Sequence, residues 1–203
     1  MANPTKQTDL QYVANTYGRF DVALASAQGA TYTDEAGKAY IDLGTGIGVT
    51  AFGAGDPEWV AAVTAQLHKI QHFSNYFYCE SASVLAEKLV SLSGLKRVFF
   101  GNSGAEANEG AIKLARKYSF DKYGEGRATV ITLENSFHGR TVTTLAATGQ
   151  DVFHNFFFPF TGGFKYAEAN SIEALHEAFD DSVCAVMVEM IQGEGGVVPL
   201  DKD

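Results

Sequence analysis

At 203 residues the chain is long enough for one domain with a substantial core, or for a domain with an appendage. Apolar residues make up 46% and charged residues 19%, a balance that excludes a largely disordered chain. Twenty-four acidic against 15 basic residues give a formal net charge of −9, and no Lys/Arg cluster offsets it locally, which argues against a nucleic-acid binder.

The residues up to about Gln11 read as a tail or a short helix. Ala30–Leu43 alternates apolar and polar residues around Asp34-Glu35-Ala36-Gly37, the pattern of two short strands joined by a tight turn. A glycine-dense passage follows, from Gly44 to Gly55. From Pro57 the spacing of Trp59, Val60, Val63, Leu67 and Ile70 predicts a helix with one apolar face, and a second helix is expected over Ser81–Ser91. The rhythm then becomes strand–turn–helix: a strand at Arg97–Phe100, a turn at Gly101–Gly104, and a helix from Ala105 to about Tyr118. Ala128–Leu133 predicts another strand, with a helix from Thr141. Asn170 or Ser171 can cap a helix running to about Phe179, and Val183–Met190 reads as a third buried strand. Strands apolar on both faces and separated by helices predict an α/β three-layer sandwich with a mixed, mostly parallel sheet. The expected division is an N-terminal segment with short strands over 1–56 and a larger domain over 57–203.

No run of about 18 apolar residues is present, so no membrane span is expected. The polar start Met1-Ala2-Asn3-Pro4-Thr5-Lys6 lacks the apolar stretch of a secretory signal. Cys79 and Cys184 have no near partner at metal-ligand spacing and read as separate thiols in a reducing cytoplasm, with no metal site.

Three passages carry candidate chemistry. In Phe99–Glu109 a strand gives way to a helix through Ser103, Gly104 and Ala105, small residues that let an anion reach the first free N–H groups. The same residues would also make a capped turn with no ligand. Asn135–Arg140 follows a strand end, where ligands collect in open α/β sheets. There Phe137 could lie on a flat heterocycle and Arg140 could grip a carboxylate, or the two could be a buried ring and a helix cap. In Val188–Gly196 two carboxylates, Glu189 and Glu194, stand among glycines. They fit a general acid and base, metal ligands or solvated charges.

Together these strings resemble a known family. S-G-A-E-A-N-E at Ser103–Glu109 with A-I-K-L-A-R after it, N-S-F-H-G-R at Asn135–Arg140, and V-E-M-I-Q-G-E-G-G at Val188–Gly196 are similar to the class III, acetylornithine-type aminotransferases, which use pyridoxal 5'-phosphate and have the fold-type I architecture. Met190 stands where that family usually has proline, and the likeness runs from about Tyr17 to Leu200. The resemblance implies that Ser103, Gly104 and Ala105 hold the cofactor phosphate. It implies that Phe137 stacks on the pyridine ring, with Glu189 near the cofactor and His138 in support. On the substrate side it implies that Arg140 binds the α-carboxylate, that Glu194 pairs with an arginine or gates the distal amine, and that Tyr17 touches substrate. The implied reaction moves the δ-amino group of N-acetylornithine to 2-oxoglutarate, as a step of arginine biosynthesis in a cytoplasmic homodimer. Succinylornithine, ornithine or 4-aminobutyrate are alternative donors, and a non-catalytic, self-associating fragment is the alternative of another kind. Family members are roughly twice as long as this chain, more than one ordinary domain. Lys96, Lys113, Lys165 and Lys202 lie in no segment like the family's Schiff-base lysine. A truncated large domain without turnover of its own is therefore expected, its catalytic lysine unknown.

Overall fold

The computed structural model describes residues 3–202, which divide into two compact units, one ending at Cys79 and one beginning at Glu80. The expected boundary after residue 56 therefore differs from the observed one, because the helix that begins at Pro57 belongs with the first unit.

In the N-terminal unit α1 (Pro4–Tyr12) starts at Asn3, whose side chain accepts the Lys6 N–H. β1 (Leu24–Gln28), β2 (Thr31–Asp34) and β3 (Ala39–Ile41) form an antiparallel meander in the order β1-β2-β3, with Tyr32 opposite Tyr40. The predicted turn joins β2 to β3. Asp34 Oδ1 accepts the N–H groups of Ala36 and Lys38, each at 2.9 Å, and Gly37 supplies a φ of 84°. Sequence periodicity missed β1. A single kinked turn, α2 (Thr45–Gly48), carries Ile47 at φ 61°, a conformation costly for a β-branched residue. α3 (Pro57–Lys69) is capped by Asp56, with proline in its first turn.

In the second unit α4 (Glu80–Ser93) and α5 (Gly104–Tyr123) precede β4 (Thr129–Leu133). α6 (Val142–Ala147), β5 (Phe164–Ala167), α7 (Ile172–Ala178) and β6 (Val183–Val186) follow, and the hairpin β7 (Ile191–Gln192) and β8 (Val198–Pro199) comes last. The sheet is parallel, in the order β5-β4-β6, so the chain crosses over β4 between β5 and β6. β4 is central and its Val130–Leu133 are all buried. Ile131 and Leu133 cluster with Ala167, Val183 and the α7 residues Ala174, Leu175 and Ala178. Val130 and Thr132 alternate with them and so turn to the other face of the sheet, where burial is equally complete. α5 packs against β6 and α6. The unit is an α/β sandwich on a parallel sheet, the fold class expected.

Several elements differ from expectation. Arg97–Phe100 forms no strand and pairs with none among the described residues, and Phe99 is 70% exposed. β5 was not anticipated. The third buried strand is shorter than its apolar run, because pairing with β4 ends near Val186 and Met187 N–H makes the last bond, to Ile131 O at 2.8 Å.

Candidate functional site

The carboxyl end of β4 gathers three segments from distant parts of the chain. The first is the start of α5. Ser103 is extended (φ −149°, ψ 162°) and its Oγ accepts the Glu106 N–H at 3.1 Å. Glu106 in turn reaches back to the Asn102 N–H at 2.5 Å. This reciprocal cap leaves Gly104 and Ala105 as first-turn N–H groups with no intrahelical acceptor. A Cβ on Gly104 would meet nothing within 4 Å, so no neighbouring segment crowds the turn on that side. A helix of 20 residues directs its positive end there. Ser103, Gly104 and Ala105 thus form a cradle whose shape and donors suit a phosphate.

The second segment leaves β4 through Asn135, which adopts φ 60°. Its N–H donates to Gly149 O at 2.7 Å, and the buried Ser136 accepts the Gly149 N–H on Oγ at 3.1 Å. Phe137 is half-buried; its ring meets Phe153 edge-on at 5.8 Å, and the Arg140 guanidinium lies 5.7 Å from its centroid. His138 is buried, with its N–H on Thr148 Oγ1 at 3.0 Å and its carbonyl accepting Asn108 Nδ2 at 2.8 Å. Burial pushes the imidazole pKa below its ordinary value, against the smaller upward pull of the Glu189 carboxylate. The ring is thus enclosed and neutral at pH 7.

Gly139 fixes the first two segments together. At φ 126°, a Cβ there would stand 2.7 Å from Thr144 Oγ1 and 2.8 Å from Ala105 Cβ. Only glycine lets the loop bearing Phe137 close against the first turn of α5.

The third segment follows β6. Glu189 Oε2 accepts the Phe137 N–H at 2.9 Å, and its Oε1 accepts the Gly193 N–H at 3.4 Å. The buried Gln192 donates to Glu134 O at 2.7 Å. Gly195 lies so close to the Asn135 carbonyl that a Cβ would come within 2.3 Å of it. Glu194 is exposed and its Oε2 accepts from Gln150 Nε2 at 2.6 Å.

Ser103, Gly104, Ala105, Phe137, Arg140, Glu189 and Glu194 therefore all lie around the ends of β4 and β6 in the second unit. Tyr17, 60% exposed, belongs to the N-terminal unit. Lys165 lies at the opposite end of the sheet, held by Asp180 at 2.6 Å and by Ala178 O at 3.0 Å. Among the described residues no group of His, Cys, Asp and Glu is placed to hold a metal ion, and no helix is long and apolar enough to cross a membrane. Sequence reasoning passed over Asn108, Thr148, Gln150 and Gln192, which bind loop backbone or a loop carboxylate. The one signal was Gly149, a glycine directly after a helix beside two polar residues.

The family model described as aminotransferase class-III matches residues 12–203. The chain belongs to that family. Among class-III relatives it is 57% identical over 198 residues to acetylornithine aminotransferase of Haemophilus ducreyi, covering 97% of this chain and 50% of that protein. It is 40% identical to succinylornithine transaminase of Yersinia pseudotuberculosis, covering 98% and 50%. Among solved structures, N-acetylornithine aminotransferase of Stenotrophomonas maltophilia matches with TM-score 0.77 at 38% identity, over 96% of this chain and 47% of that one. Ornithine aminotransferase of Toxoplasma gondii, in a crystal with partial occupancy of PLP at its active site, matches with TM-score 0.89 at 32% identity, over 97% and 47%. The chain thus spans about half the length of these class-III relatives.

Proposed function

We propose that this chain is the part of a pyridoxal 5'-phosphate-dependent aminotransferase that seats the cofactor's phosphate and ring, in a protein that moves the δ-amino group of N-acetylornithine to 2-oxoglutarate. The observation that carries this reading is the closure at Gly139, which sets the anion cradle at Ser103–Ala105 directly beside the loop bearing Phe137. One ligand with a phosphate and a flat ring matches both. The 57% identity to an acetylornithine aminotransferase supports the choice of donor over succinylornithine, ornithine or 4-aminobutyrate.

In this reading the N–H groups of Gly104 and Ala105 and the Ser103 hydroxyl bind the phosphate. Phe137 offers the ring face turned away from Arg140. Glu189 holds the Phe137 backbone in place through its N–H and brings negative charge near the cofactor. Arg140 grips the substrate α-carboxylate, and Glu194 faces a cationic group on the substrate side. From the N-terminal unit, Tyr17 is proposed as a substrate contact. Pyridoxal phosphate, when bound, supplies the ring that accepts the electron pair left as a proton departs the amine-bearing carbon. No lysine of this chain is assigned to that proton or to covalent attachment of the cofactor. Arginine biosynthesis in the cytoplasm, as a homodimer, completes the proposal. Exposed apolar side chains such as Phe156 (90%) and Phe158 (72%) favour association with a second chain.

The test is the absorbance of the purified chain after addition of pyridoxal phosphate and removal of the excess, repeated after borohydride reduction. A retained band that borohydride does not fix to protein supports the reading. Failure to retain cofactor would overturn the cradle assignment, and fixation at a single lysine would overturn the assignment of lysine chemistry outside this chain.

A further inference from the structure

Gln150 has no role in the reading above, yet its side chain ties two of the three segments together. Its backbone is fixed from both sides. The preceding Gly149 donates to Ser136 Oγ, accepts from the Asn135 N–H, and lies so near Leu133 that a Cβ would come within 2.0 Å of that residue's carbonyl oxygen. From this clamp Nε2 extends two protons, and both are engaged, one on Ser136 O at 3.2 Å and the other on Glu194 Oε2 at 2.6 Å. Glu194 itself sits between Gly193 and the pair Gly195-Gly196, in backbone with little stiffness of its own. It is exposed, and its other oxygen accepts no hydrogen bond among the described residues.

We infer that Gln150 is the positioning residue for Glu194: its amide fixes where this carboxylate points without bringing a counter-charge to it. A lysine or arginine in the same place would neutralise the carboxylate. A neutral amide occupies one of its roughly four lone-pair sites and leaves the free oxygen to an ammonium or guanidinium group. The inference rests on the proposed amine-transfer reading only for what that oxygen faces. The positioning itself belongs to the protein without cofactor.

The experiment is NMR and amide hydrogen exchange on the cofactor-free chain, with pyridoxal phosphate retention measured in parallel so that failure of the cofactor reading is recorded separately. Gln150→Glu keeps the shape but removes both protons. It is expected to raise backbone mobility over 193–196 and to speed exchange of the Val197 N–H, which donates to Gly193 O, about tenfold. The double variant Gln150→Glu with Glu194→Gln reverses donor and acceptor, and is expected to restore both readouts. Ser136 O stays without its donor in the double variant, so a role confined to holding the Ser136 backbone would go unrescued. Unchanged order over 193–196 in Gln150→Glu, or absence of rescue in the double variant, would overturn the inference.

Discussion

Replacing Gly139 by alanine adds one methyl group where the cradle and the ring loop meet. The backbone there has φ 126°, a region almost reserved to glycine, which costs about 1–3 kcal/mol for alanine. The new Cβ would stand 2.7 Å from Thr144 Oγ1, 2.8 Å from Ala105 Cβ and 3.1 Å from Ala105 Cα, against the 3.5–4.0 Å of ordinary carbon contacts. Thr144 is fully buried and bonded to Thr141, so it has little room to withdraw. Ala105 must move by several tenths of an ångström, and overpacking of that kind costs about 1–3 kcal/mol more. The sum is roughly 2–6 kcal/mol of lost stability. Because Ala105 carries a proposed phosphate donor, pyridoxal phosphate retention should fall with it, by about tenfold or more. The control is Gly162→Ala, where the added carbon meets nothing within 4 Å and φ is not positive. That change is expected within about 0.5 kcal/mol of the parent or slightly above it. Urea unfolding should be followed by circular dichroism, since the one tryptophan, Trp59, lies in the other unit. Equal midpoints and equal cofactor retention for the two alanine variants would refute the closure at Gly139 as the organising contact.

Three further outcomes follow from named groups. Removing the Glu189 carboxylate as Glu189→Ala leaves the Phe137 N–H without its acceptor, and urea titration should show a loss of about 1–3 kcal/mol. The lowered pKa of buried His138 means that the unfolded chain takes up a proton near pH 6.5 while the folded chain does not. Its contribution to stability is therefore full above that pH and lost as pH falls toward the folded value; His138→Gln should flatten the slope between pH 7 and 5. Asp180 is held at about 2 first by its hydrogen bond from Lys165 and then by those from Ser182. Its contribution is present above about 3.8 and lost as pH falls through about 2. Carboxyl-carbon NMR should find that low value and see it rise toward 3.8 in Lys165→Met.

Local signals in the sequence predicted most of what they could encode. The caps at Ser103 and Ser171, and the apolar run of β4, depend on neighbours within a few residues; the caps at Asp56 and Thr141, equally local, were passed over although the helices they start were read. β5 escaped notice because Phe164-Lys165-Tyr166-Ala167 is short and carries a lysine, and its strand character comes from pairing with β4. The converse holds for Arg97–Phe100, whose strand-like composition meets no paired neighbour among the described residues. At the candidate site the residue types were legible by likeness, and their mutual placement was not. Gln150 and Gln192 act on carbonyls and carboxylates far away in the chain, and no periodicity marks such a partner. Gly139 and Gly195 show their purpose only once a second segment lies against them.

The parallel sheet delivers every candidate site residue of the second unit to one end and leaves the other end to plain turns. α5 spans about 30 Å from its capped start to Tyr123. The exposed Gly124-Glu125-Gly126 turn beyond it thus stands a whole helix length from the cradle. A fluorophore or an affinity handle grafted at Glu125 would report on this unit from a distance, leaving the cradle, the Phe137 loop and the acidic hairpin untouched.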